Sequence, residues 1–324
     1  MPRPYQIATL QVGRAIAAIV VVIYHATQMT VGVAGPFPGS SLFLHGDLGV
    51  DFFFVLSGFI ICHSVPGNSL GSFLRARVRR LYLPYLPVGI AMALFLASIG
   101  LNMNSWSWLP TITLAPVGNP ALAVAWTLQH EIVFYAVFAA AYFSGRLAVG
   151  LMLWAILIVA AAIAGVAFLP LALINLEFLM GVAAAAAFQR GWGSPRWYGL
   201  ASVPFLVWIG LGAKNDMSVL VGLAIAFTIV PVAQWERTGT LIIPRYVLFL
   251  GAASYSIYLV HVIAISTVAR LVSGWPLMMT GSIAAGIIAG LVYHIVIERP
   301  LLRGRFGTTV RLVSSKISLR KRTF

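Results

Sequence analysis

The chain has 324 residues, of which 60% are hydrophobic and only 9% charged. A soluble protein carries roughly a quarter charged residues, so this composition excludes a water-soluble globular enzyme and a disordered chain alike. The single cysteine, Cys62, excludes an internal disulfide and a thiolate metal cluster, and no metal site is expected.

Runs of about 20 apolar residues, enough to cross a hydrocarbon core, fall at 9–30, 46–65, 81–100, 121–143, 147–167, 169–188, 197–213, 217–235, 246–267 and 277–297. The fold class expected is an all-α polytopic membrane protein of about ten transmembrane helices, with both termini cytoplasmic. Residues 1–298 read as a single membrane domain and 299–324 as a basic cytoplasmic tail. No repeat or second domain is visible.

The basic residues support this topology independently. With the N-terminus inside, the inner segments collect Arg3, Arg75, Arg77, Arg79, Arg80, Arg146, Arg190, Arg196, Arg237, Arg245 and the tail. Outer loops keep only Lys214 and Arg270, as the positive-inside rule requires. The net charge of +14 is thus a topological signal and an attraction for anionic lipids. Nucleic acid is not needed to explain it.

In chain order, the first stretch follows Arg3 and has the outline of a signal peptide. No small-residue cleavage site comes after it, because His25-Ala26-Thr27-Gln28 is next, so it reads as a retained helix. Arg14 and His25 stand 11 residues apart in it, about three turns and about 16 Å along one face. Ionisable groups at membrane depth are costly and mark functional candidates. The plainer reading of this pair alone is a snorkelling arginine and a histidine satisfied by a neighbour.

The second stretch opens Leu48-Gly49-Val50-Asp51-Phe52-Phe53-Phe54-Val55-Leu56-Ser57-Gly58-Phe59 and puts Asp51 at the depth of His25. A carboxylate there would fix the imidazole tautomer of a general base; the bland alternative is a helix cap shared with Asp47. Ser57 lies in no nucleophile elbow. Loop 66–80 then carries Arg75, Arg77, Arg79 and Arg80, either an anchor or a phosphate-binding cluster. In loop 101–120, Trp106 and Trp108 suit stacking on a sugar ring, but an interfacial belt is the commoner reading of such tryptophans.

The fourth stretch carries Trp126-Thr127-Leu128-Gln129-His130-Glu131 and sets the Glu131 carboxylate near the midplane, where a buried cation such as Arg14 is its expected partner. The ninth carries Ser254-Tyr255-Ser256-Ile257-Tyr258-Leu259-Val260-His261. The last ends in Glu298-Arg299-Pro300, expected as interfacial structure. The pair Gly286 and Gly290 and the run Ala183–Ala187 read as close helix packing.

Taken in order, these blocks resemble the acyltransferase family 3 membrane proteins: Arg14-x10-His25, the Gly49–Phe59 block, Arg77-x-x-Arg80, Trp126-Thr-Leu-x-x-Glu131, the Ser254–His261 block and Glu298-Arg-Pro. The likeness covers most of the chain, without the appended extracytoplasmic domain of many relatives. It implies an acetyl-CoA-dependent O-acyltransferase of a bacterial inner membrane, acting on a surface polysaccharide or exopolysaccharide. Acyl-CoA is then a co-substrate on the cytoplasmic side, with no permanently bound cofactor, and a polysaccharide or lipid-linked sugar is the acceptor. A homo-oligomer is compatible with this reading.

His25, Asp51 and Glu131 are the catalytic candidates and Arg14, Arg77 and Arg80 the donor-binding ones, with Tyr258 and His261 in substrate-binding or supporting places. Two rivals share the intramembrane charges: a proton-coupled carrier and a non-catalytic subunit of a polysaccharide export system. A carrier would more naturally show internal repeats and interrupted helices.

Overall fold

The computed structural model describes residues 7–99, 105–214, 217–238 and 242–303. Residue Arg3, the loop segment 101–104 and the tail beyond Arg303 lie outside the described residues. Among those described, all regular structure is helical.

The order is α1 Ala8–Ala34, a short α2 Ser40–Phe43, α3 Leu48–Ser64, α4 Leu70–Ser98, a short α5 Trp108–Thr113, α6 Trp126–Phe143, α7 Leu147–Ile163, α8 Leu176–Gln189, α9 Arg196–Gly210, α10 Val219–Thr238, α11 Arg245–Leu271 and α12 Trp275–Tyr293. A π-helical turn, His294–Glu298, joins α12 to the short α13, Arg299–Arg303. Every apolar stretch in the sequence holds a helix. Among the described residues, 7 helices are long and apolar enough to cross a membrane, while α7 and the stretch Leu173–Gln189 are apolar but shorter.

Helix α4 departs from expectation. The arginine cluster was expected in a loop, yet the helix begins at Leu70 and carries all four arginines in its first three turns. Ser69 caps it by accepting from Ser72 N at 3.3 Å, and Leu, Arg and Ala continue it as good helix formers until Pro84. Around Pro84 and Pro87, the Tyr255 and Tyr293 hydroxyls donate to Leu81 O at 2.8 Å and Pro84 O at 2.7 Å. Such side-chain donors satisfy backbone carbonyls near helix breaks in an apolar medium.

Helix α1 forms the spine, packed mainly on α11 and also on α12 and α3. It runs parallel to α11: Gly251 meets the Gln11 backbone, and Arg14 Nε donates to Ser254 Oγ at 3.1 Å. Helix α8 runs parallel to α3, with Phe178 beside Phe54 and Phe188 beside Phe59. Arg77 and Arg80 mark one end of the bundle, the arginine end, and the opposite end is the far end.

Glycines set the closest crossings. A Cβ on Gly58 would come within 2.0 Å of Phe178 O, and one on Gly181 within 1.9 Å of Val55 O. Only hydrogen at both positions lets the α3 and α8 backbones touch, as small residues do in membrane bundles. Gly290 similarly lies 2.4 Å, measured to an added Cβ, from Ile257 Cα.

The first turn of α1 receives an unexpected cap. The Glu236 carboxylate of α10 accepts from Ala8 N, Thr9 N and Thr9 Oγ1, each at 2.7 Å. Free N–H groups at a helix start need acceptors, and a carboxylate also complements the positive end of the helix dipole.

Candidate active site

A cavity of about 120 Å³ opens among α1, α3, α4, α6 and α11, room for several waters. Its arginine end is lined by Arg14, Arg77, Arg80, Glu131 and Tyr135, and its remaining wall is largely apolar. Arg77 and Arg80 reach it together because a spacing of three places both on one face of α4. Arg77 Nη2 donates to Ser64 Oγ at 2.9 Å, and Arg14 is only 8% exposed.

Glu131 faces the same space. Its Oε1 accepts from Ser57 Oγ at 3.0 Å and from the Tyr135 hydroxyl. The expected contact ion pair with Arg14 is not formed among the described residues; the partners are hydroxyls, and the arginines share the cavity with the carboxylate. Ser57 and Tyr135 escaped the sequence reading as site residues, although Tyr135 stands one turn from Glu131, at helical contact spacing.

Polar residues entering α6 scatter in several directions, since each step turns about 100°. Thr127 Oγ1 and Tyr258 Oη lie 2.9 Å apart. Gln129 Nε2 donates to Ala115 O at 2.5 Å and Gly118 O at 3.1 Å, pinning the preceding loop. His130 Nδ1 meets Asn175 Oδ1 at 2.8 Å. Trp106, read as part of an interfacial belt, is buried with Ala93 and Ala121.

His25 and His261 form a pair whose tautomers follow from their neighbours. His261 Nδ1 faces two carbonyl oxygens, Tyr258 O at 2.7 Å and Ile257 O at 3.1 Å, so this nitrogen carries the hydrogen. The neutral ring then offers Nε2 as an acceptor, and it lies 3.2 Å from His25 Nδ1. His25 Nδ1 is also 3.0 Å from Val21 O, which fixes its hydrogen there. These assignments rest on the hydrogen-bond partners. They leave the His25 Nε2 lone pair for another group.

Asp51 does not hold His25. It faces Glu177 of α8, with Ser218 beside the two carboxyl groups, and both acids are buried. Equal depth in the sequence says nothing about direction around a helix axis. The face of α1 bearing His25 meets α11, and the place intended for Asp51 belongs to His261.

Glu298, read as interfacial structure, is buried against its neighbours. It is 6% exposed, takes a hydrogen bond from Ser256 Oγ at 2.6 Å and pairs with His294 Nδ1 at 2.6 Å. The spacing of four puts His294 and Glu298 on one side of the π turn, toward α11.

The chain matches the family model described as an acyltransferase domain over residues 7–298. It is 32% identical over 291 residues to the exopolysaccharide production protein ExoZ of Rhizobium meliloti (strain 1021), covering 81% of this chain and 91% of the relative. It is also 26% identical over 373 residues to the acyltransferase MdmB of Streptomyces mycarofaciens, covering 93% of each. No solved structure matches it significantly.

Proposed function

The chain belongs to this acyltransferase family, and from that premise we propose that it moves an acetyl group from cytoplasmic acetyl-CoA to a sugar hydroxyl of a bacterial exopolysaccharide or its lipid-linked precursor. The arginine end of the bundle then faces the cytoplasm of the inner membrane, and the far end faces outward. The supporting observations are an arginine-lined cavity and, one turn beyond its Tyr258 wall, the His25–His261 pair that leaves the His25 Nε2 lone pair free.

Arg77 and Arg80, joined by the buried Arg14, give charge-assisted contacts to the phosphates of the donor. Its long neutral arm runs along the apolar wall toward the far end. His25 Nε2 takes the proton of the acceptor hydroxyl as its oxygen attacks the thioester carbonyl. The C–O bond forms, the C–S bond breaks, and the CoA thiolate leaves toward the arginine end. His261 is a positioning residue: it holds the His25 hydrogen on Nδ1 and so keeps Nε2 basic. General-base assistance of this kind contributes about 10²–10⁴-fold.

The test is CoA release by purified protein supplied with acetyl-CoA and host oligosaccharide, with mass spectrometry for the added acetyl group. Acceptor-dependent release and a 42 Da increment (on the order of one acetyl group) are expected. Absence of both with wild-type protein, together with unchanged acetylation of surface polysaccharide in cells lacking it, defeats the proposal.

A further inference from the structure

The cavity stops short of the base. On α11 it is lined by Ser254, Tyr255 and Tyr258, on α6 its outermost residue is Thr127, and on α1 it touches Arg14 only. His261 is one turn beyond Tyr258, and His25 is three turns beyond Arg14. What closes the gap is a rung: Tyr258 Oη lies 2.9 Å from Thr127 Oγ1 and donates to Val124 O at 2.9 Å. The Phe53 ring meets the Tyr258 ring edge-on at 6.2 Å, and Tyr258 is 7% exposed.

We propose that Tyr258 and Thr127 form a partition between the arginine-lined cavity and the His25–His261 pair, and that this partition swings aside for the thioester to meet His25. The idea rests on the proposed function for its purpose, but the partition itself is a matter of access. Three features support a movable element. The rung is one side chain against a neighbouring helix, held by hydroxyl contacts of modest net strength, about 0.5–1.5 kcal/mol each.

Its ring is a rigid plate that turns on two side-chain torsions. And the same residue offers its backbone carbonyl to His261 Nδ1, so the ring can leave while the histidine pair stays oriented. A closed partition also keeps outer water from the thioester until an acceptor is in place, a general benefit of gated sites.

The test needs no acyl transfer. In a Cys62→Ser background, Leu128→Cys places one thiol in the cavity wall, where Leu128 is 3% exposed. Intact cells are treated from outside with a small membrane-impermeant thiosulfonate, and the labelling rate is compared with that of detergent-purified protein, which the reagent reaches from both ends. Tyr258→Ala is added to one sample, and Tyr258→Phe with Thr127→Val, which keeps the ring but removes the rung, to another.

The expected result is slow labelling in the parent and at least a fivefold faster rate in one or both opened variants. Less than a fivefold increase in both overturns the partition. An inactive wild type with this labelling pattern would sink the proposed function and leave the partition standing; the reverse outcome would do the opposite.

Discussion

At the scale of single residues, the proposed chemistry falls on a few side chains with separable roles. His25→Ala removes the proposed base and is expected to lower acyl transfer by about 10²–10⁴-fold, with abundance in the membrane near wild type. In the proposed mechanism His261 acts through His25, 3.2 Å away, so His261→Leu should fall by roughly 10–100-fold, the range that loss of an orienting partner costs at metal-bound histidines. His261→Gln keeps an acceptor for His25 Nδ1–H and should recover part of that loss; equal activity of the Leu and Gln variants would remove the positioning role. With Arg77 and Arg80 on the donor phosphates as proposed, deleting either takes away a charge-assisted contact of about 1.5–3 kcal/mol, or roughly a 10- to 150-fold weaker grip on acetyl-CoA. Lysine should restore it only in part, and titration of acetyl-CoA against the purified variants measures both. Arg14, His25 and Glu131 stand out in the sequence as ionisable groups at membrane depth, and Arg77 and Arg80 as an arginine cluster beside a span; the cavity gathers four of the five, Arg14, Arg77, Arg80 and Glu131, on its lining. The Asp51–Glu177 and His25–His261 pairings were not legible there, because a sequence gives depth along a helix but not the side that faces a given neighbour.

At the scale of elements, the helices that position these residues depend on contacts distant in sequence. The cap on α1 comes from Glu236 on α10, more than two hundred residues away, and holds three donors at 2.7 Å. Glu236→Gln leaves one acceptor atom instead of two and removes the charge, so a loss of roughly 1.5–3 kcal/mol is expected, read as a lower melting temperature in detergent. Gly181→Ala should be as severe, since its Cβ would lie 1.9 Å from Val55 O and force α3 away from α8; overpacking of this kind costs about 1–3 kcal/mol or more. Ser57 sits on α3 one residue before the Gly58 crossing, so that shift should also loosen the Ser57–Glu131 bond and lower activity more than stability alone predicts. Apolar run length identified these helices well, but it missed the start of α4. Arginines there are helix formers as well as charges, and a hydropathy window sees only the charges.

At the scale of the whole molecule, the direction of each helix decides how the three shorter ones are placed. Helix α6 begins at Trp126, with Thr127 in the far-end rung, and descends past Tyr135 beside Arg77 and Arg80, so it finishes at the arginine end. Helix α10 also finishes there, because Glu236 in its last turn caps the first turn of α1. The chain between them must therefore traverse the bundle an odd number of times. Helix α8 runs from Glu177, beside Asp51, to Phe188, whose carbonyl accepts from Gln234 Nε2 at 2.7 Å. Helix α9 runs the other way, from the Gly193 approach to Val230 toward Trp208 beside His45. With 15 residues, α9 is about 22 Å long against a hydrocarbon core of about 30 Å, a mismatch of the kind that local bilayer thinning or snorkelling of flanking residues accommodates. Counting α7, α8 and α9 as crossings makes ten and returns both termini to one side. Counting only the longest seven puts the termini on opposite sides and moves Arg237, Arg245, Arg299 and Arg303 outward, against the positive-inside rule. Reporter fusions after Arg146, Val166, Gly193 and Gly212 should therefore alternate inside, outside, inside, outside, with fusions at both chain ends reporting inside. A single side for all four internal fusions, or opposite sides for the two ends, would overturn the ten-crossing arrangement and with it the assignment of the arginine-lined mouth to the cytoplasm.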